Sequence, residues 1–211
     1  MKVVSFVTQK GGSGKTTLAI SCAVAAEQAG KRVLICDLDP QRSAESWYQD
    51  READTPKLVS LSSGQLEEAI ATAKSQGFDL VLIDTPGRDE PAVAAAIRLS
   101  DFCIIPCRPT PADMKATPET VRTIRRLERP AVFVLTQTPP RSYRIGEAEQ
   151  GLSILGMVAP IHIVMRNAYQ DAQGAGQGVT EYEPDGKATQ EIRALWAWID
   201  KKMEKITYDP T

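Results

Sequence analysis

The chain has 211 residues, 25% of them charged, with a formal net charge of −2 and no apolar run near the ~18 residues that a membrane helix needs. That length suits one α/β domain over residues 1–211, and the near-neutral charge excludes a global basic field, so any hold on nucleic acid must come from local patches. The four cysteines, Cys22, Cys36, Cys103 and Cys107, form no C-x-x-C pair. A zinc site or disulfide framework is therefore not indicated, and buried reduced thiols, as in a cytoplasmic protein, are expected.

Taken in chain order, the first apolar run, 2–8, reads as a strand rather than a signal peptide. It leads into Lys10-Gly11-Gly12-Ser13-Gly14-Lys15-Thr16-Thr17 and then a helical pattern over 15–29. Strand, glycine-rich turn and helix are the context of a phosphate-binding loop. Gly11, Gly12 and Gly14 let backbone amides curl around an anion, and the helix N-terminus adds partial positive charge. Lys15 is placed to reach the outer phosphates, and the Thr16 hydroxyl to ligate Mg²⁺. Gln9 stands where the usual pattern has its first glycine, and a second lysine, Lys10, lies inside the loop.

Further strands are predicted at 32–36, 79–83, 101–107, 131–136 and 160–165, with helices at 64–76, 89–99, 113–128 and 145–155 and a long last helix. The alternation implies a mainly parallel sheet with helices on both faces, a single-domain P-loop NTPase. The strand at 32–36 ends in Asp37-Leu38-Asp39-Pro40-Gln41, and that at 79–83 in Asp84-Thr85-Pro86-Gly87. Both put carboxylates at the carboxyl ends of parallel strands, where open α/β sheets bind ligands. Thr138-Pro139-Pro140-Arg141 and Gly174-Ala175-Gly176-Gln177-Gly178 read as loops. His162, the only histidine, sits in the apolar run from Ile161 to Met165 and is expected to be structural.

The run Lys10–Thr17 resembles the deviant Walker A loop of the ParA/MinD family of ATPases. The resemblance implies ATP and Mg²⁺ as ligands and Gly11, Gly12, Ser13, Gly14, Lys15, Thr16 and Thr17 as the phosphate cradle. It also implies a homodimer that sandwiches ATP, in which Lys10 reaches the phosphates of the partner chain, in the manner of an arginine finger supplied in trans. Asp84 resembles the Walker B aspartate and Asp39 the aspartate that activates water; together with Thr16 they border the metal. Lys10, Asp39 and Asp84 are thus the catalytic candidates, and Asp37 a supporting one. The whole length is similar to the small ParF-like plasmid-partition members, with no helix-turn-helix domain expected ahead of the loop. In that group the proline-rich stretch containing Pro109, together with the strand end at Thr136 and Gln137, lies near the adenine.

Two basic clusters remain. Arg122, Arg125, Arg126 and Arg129 are spaced to share one face of a helix, and Arg193, Lys201, Lys202 and Lys205 lie opposite the apolar stripe Ile192, Leu195, Trp196, Ile199. Solvated faces with i,i+4 pairs are the plain reading. The resemblance favours nonspecific DNA binding by the ATP dimer through Arg193, Lys201, Lys202 and Lys205, and with it nucleoid association, a ParB-like or other cargo adaptor, and segregation or positioning of a plasmid or other cargo. The alternatives are a MinD-like membrane switch, using Trp196, Trp198 and nearby lysines, and a P-loop enzyme that activates a small molecule. The stripe has the width of a core-covering face and the chain ends in polar 207–211, which counts against the membrane.

Overall fold

The computed structural model describes residues 1–88 and 90–208. Seven strands, β1 (Lys2–Phe6), β2 (Val33–Asp37), β3 (Lys57–Ser60), β4 (Leu80–Asp84), β5 (Phe102–Cys107), β6 (Ala131–Leu135) and β7 (Met157–Val158), form one sheet. Its order is β3-β2-β4-β1-β5-β6-β7, with every pair parallel. The helices are α1 (Lys15–Gln28), α2 (Ser43–Gln49), α3 (Leu66–Ser75), α4 (Glu90–Leu99), α5 (Pro111–Arg126), α6 (Arg144–Ser153), α7 (Asn167–Gly174), α8 (Val179–Tyr182) and α9 (Lys187–Tyr208).

Helices cover both faces, so β2, β4 and β5 are buried at every position and carry unbroken apolar runs. Val4, Phe6, Ile35, Leu82 and Ile104 point into the layer of α1 and α9. Their alternates Val3, Cys36 and Ile83 meet α3 and α4, while Ile105 and Phe133 meet α4, α5 and α6. On α9, Ile192, Leu195, Trp196, Ile199 and Met203 are all buried in the first of these layers. At about 1.5–3 kcal/mol each, that stripe contributes on the order of 10 kcal/mol before entropy is subtracted. It is committed to the core, as expected. Among the described residues no helix is long and apolar enough to cross a membrane. All four cysteines are buried and free, and burial pushes Cys22 and Cys36 up to about 12.

The predicted elements recur with shifted ends, and the helix predicted at 89–99 starts at Glu90, residue 89 lying outside the described residues. The strand expected at 160–165 is not formed. The ladder stops at Val158, where Pro160 lacks a donor, and resumes only as a bridge between Thr138 and Val164. His162 accordingly leaves the sheet and sets its Nε2 2.7 Å from Glu149 Oε1. The edge strand β3 and the helices α2, α7 and α8 are elements that the apolar pattern misses. In α2 only Ala44 and Trp47 are buried, too few for a visible period.

Candidate functional site

The phosphate loop follows β1 at the carboxyl edge of the sheet, flanked by the loops after β4 and β5 because those strands are the neighbours of β1. Gly12 and Gly14 have φ of 72° and 93°, which a Cβ would strain. Gly14 is the N-cap of α1, with no side-chain cap and no acidic residue in the first turn. The first amides of α1 are thus left without an internal acceptor, and that suits an anion.

Neighbouring loops brace this turn. Thr136 donates its hydroxyl to Ser13 O at 2.7 Å, and Gln137 its amide to Gly12 O at 2.9 Å. The Thr85 hydroxyl donates to Phe6 O at 2.7 Å. A Cβ on Gly87 would come within 3.2 Å of Gly11 N, so the turn after β4 lies directly against the phosphate loop and a side chain there would have to push that loop aside. The rigidity of the cradle is therefore set by segments far away in sequence.

Lys15 is buried and donates from Nζ to Lys10 O at 3.3 Å. Burial lowers its pKa, while Asp84 and Asp39 oppose the shift. Thr16 donates its hydroxyl to Asp84 Oδ2 at 2.6 Å. Asp84 is fully buried and its Oδ1 has no hydrogen-bond partner. Burial raises its pKa to about 7, with the Thr16 bond and Lys15 pulling the other way. An orphaned carboxylate oxygen beside a hydroxyl fits a hard cation that takes oxygen ligands. Among the described residues no group of three or more His, Cys, Asp or Glu is placed to hold a metal ion.

Asp39 is half-buried, accepts from Gln41 N at 3.0 Å, and donates its own N–H to Asp37 Oδ1 at 3.0 Å. Asp37 is buried, and its other oxygen accepts from Glu45 N at 3.2 Å. Asp37 therefore ties both ends of the β2–α2 turn and places Asp39 on the same side as Asp84. Leu38 N bonding Asp84 O at 2.9 Å joins the two strand ends.

The site has a measurable pH signature. Ionising Asp84 in its buried setting is unfavourable, so the unfolded chain releases this proton first. Without metal, the contribution of Asp84 to stability is expected to be full below 3.8, to fall as pH rises towards about 7, and to level off above that. Asp84→Asn removes this dependence. Melting curves of both proteins across this range, in chelator, check it; parallel curves for the two would contradict it.

Beside the loop, a cavity of about 120 Å³ is bordered by Gly14, Thr17, Thr136, Gln137, Val164, Arg166 and Tyr169. Its far wall is clamped by one residue that the sequence pattern did not single out, Glu191 of α9. Glu191 Oε1 accepts from Arg166 Nε and Nη2 at 3.1 and 2.5 Å. Its Oε2 accepts from Val164 N at 3.2 Å and the Tyr169 hydroxyl at 3.1 Å. Pro109 is not part of this cavity: it borders a separate groove with Met114 and Tyr143. A larger cavity, about 770 Å³ between β3 and α3, shares no residue with the loop, so size alone does not locate the chemistry.

The basic clusters fare differently. α5 ends at Arg126, and Arg129 lies beyond it, after the left-handed Glu128 and just ahead of Pro130. Arg125 and Arg129 donate to Leu155 O and Arg98 O, both at 2.7 Å. The expected face of four arginines is therefore divided, with Arg122 and Arg126 alone beside Gln9. On α9, Lys201 and Lys205 are exposed and Lys202 lies over the Trp198 ring at 5.2 Å. Arg193 is about 12 Å away along the helix axis and donates to Pro184 O at 3.2 Å.

The model of the CobQ/CobB/MinD/ParA nucleotide binding domain matches residues 4–177. The chain is 31% identical over 210 residues to the maintenance of carboxysome distribution protein A of Gloeobacter kilaueensis, covering 97% of this chain and 94% of the relative. It is 28% identical over 181 residues to the protein ParA of Rhizobium radiobacter, covering 80% and 81%. Among solved structures, the septum site-determining protein MinD of Pyrococcus horikoshii, complexed with Mg-ADP, superposes with a TM-score of 0.76 at 19% identity over 97% of this chain and 98% of that one, a likeness of fold.

Proposed function

Because the chain belongs to the CobQ/CobB/MinD/ParA nucleotide-binding family, we propose that it is a Mg²⁺-dependent ATPase whose ATP-bound form dimerises, holds nonspecific DNA and positions a cargo over the nucleoid. The observation that carries the nucleotide chemistry is the Thr16–Asp84 pair beneath a glycine loop that also presents Lys10. The positioning role rests on the match along nearly the whole chain to a carboxysome distribution protein.

In this reading Lys15 and the amides of the loop and α1 hold the phosphates, and Thr16 with Asp84 holds Mg²⁺, which when bound spreads the charge of the outer phosphates. Asp39 orients the attacking water, and Lys10 crosses to the nucleotide of the other copy. ATP binds the dimer-competent state better than the monomer and shifts the population towards it; loss of the γ-phosphate reverses the shift. A dimer also presents the cations of α9 twice, so phosphate contacts accumulate and DNA affinity rises. An adaptor protein, of ParB-like or other type, would link the dimer to cargo and stimulate hydrolysis.

The cavity beside Thr17 is read as the base pocket. Glu191→Ala is then expected to weaken ATP binding about tenfold through the loosened wall, leaving inorganic tripolyphosphate affinity unchanged. Calorimetry with both ligands checks it; equal losses for the two would place the defect in the loop instead.

DNA binding tests the function. With ATP, the protein should bind duplex of any sequence, with affinity falling steeply as salt rises; with ADP it should bind poorly. Arg193→Glu with Lys202→Glu should lower DNA affinity and flatten the salt dependence while leaving ATP affinity intact. Absence of DNA binding by the ATP form at low salt would overturn the nucleoid reading.

A further inference from the structure

The loop after β5 runs beside the phosphate loop because β5 pairs with β1. With its flanking residues it reads Cys107-Arg108-Pro109-Thr110-Pro111-Ala112-Asp113, Pro109 fixing the backbone before α5 and Pro111 opening the helix. Thr110 caps α5 by accepting from Asp113 N at 3.3 Å. Asp113 is buried, its side chain 3% exposed. It accepts from Arg108 Nε at 3.1 Å and Nη2 at 3.2 Å, and from the Thr110 hydroxyl. A buried carboxylate gripping one edge of a planar guanidinium fixes the direction of the remaining corner.

That corner, Nη1, stands where a Cβ on Gly12 would come within 3.8 Å of it. Gly11 and Gly12 are the exposed part of the phosphate loop, whereas Ser13 and Lys15 are buried. Arg108 is thus a preset cation against Gly12, at the exposed part of the loop.

We propose that Arg108 is a second trans cation of the dimer, placing Nη1 against phosphate oxygens of the nucleotide bound by the other copy. The inference rests on the ATP-dimer reading above. Lys10 is a flexible point charge; Arg108 is a fork already oriented by Asp113, so less freedom is lost when the two copies close. Dimerisation then depends on the triphosphate through two cations per chain rather than one.

The test uses the full chain, Mg²⁺ and a nonhydrolysable ATP analogue. Arg108→Gln alone would leave Asp113 buried without a cation, so it is combined with Asp113→Asn, and a melting curve confirms the fold. Analogue affinity is measured in dilute protein, well below the dimerisation constant, and dimerisation by sedimentation at saturating analogue. The double variant should bind the analogue within about twofold of wild type and dimerise at least tenfold more weakly, roughly the loss of one charge-assisted contact per site. Should it fail to fold, Arg108→Lys, which keeps the charge and loses the fork, is expected to give the same split at smaller size. Unchanged dimerisation would overturn the proposal, as would a loss of affinity already present in dilute monomer, which would give Arg108 to its own nucleotide. A wild type that does not dimerise with the analogue removes the dimer reading and this inference together; a normal wild-type dimer beside an unaffected variant removes this inference alone.

Discussion

Replacing Lys15 with alanine is expected to abolish useful nucleotide binding, raising the Kd for ATP and ADP by roughly a hundredfold or more. The side chain is buried at the base of the loop, where a charge-assisted contact is worth about 3 kcal/mol. Its pKa is held down by burial, so the ammonium stands in an environment that lacks enough negative charge. A bound phosphate supplies that charge, and this is why the effect should be large. The fold should survive, because the two anions facing this ammonium are Asp39, which is half-buried, and Asp84, which can take up a proton near neutral pH. Calorimetry with ADP checks the binding; unchanged affinity in the variant would show that phosphate is held elsewhere.

Lys10→Ala has the second largest expected effect, and it falls on a different quantity. Lys10 lies on the rim of the loop, half-buried, while its backbone carbonyl accepts from Lys15 and from the Ser13 hydroxyl. Those backbone contacts survive truncation of the side chain, so ATP affinity should stay within about threefold of wild type. Dimerisation and hydrolysis should both be lost, the latter by on the order of a thousandfold, the scale of a missing trans cation in phosphoryl transfer. A variant that dimerises normally with ATP would remove the trans role of Lys10. Comparing the two lysines separates cis from trans chemistry within eight residues of sequence.

The places of the glycine-rich loop and of Asp39 and Asp84 in the fold were legible because each rests on local chemistry: glycines where φ is positive, a lysine and a threonine at the start of a helix, carboxylates at strand ends. The parallel sheet was legible for a similar reason, since strands covered on both faces carry unbroken apolar runs. What was not legible depends on contacts distant in sequence. Gly87 against Gly11, Thr136 on Ser13 and Glu191 across the cavity leave no periodic trace. The arginines from Arg122 to Arg129 show the converse error. Helical spacing placed four of them on one face, but the helix stops at Arg126 and two of the guanidinium groups serve backbone carbonyls. Edge strand β3 escaped because its four residues alternate between exposed and half-buried, with no core to announce them.

ATP is expected to make this chain a dimer, and ADP is not. Light scattering of the purified protein with Mg²⁺ and either ATP or ADP measures this directly. The expected mass is 23.0 kDa with ADP and twice that with ATP. The same mass with both nucleotides would contradict it.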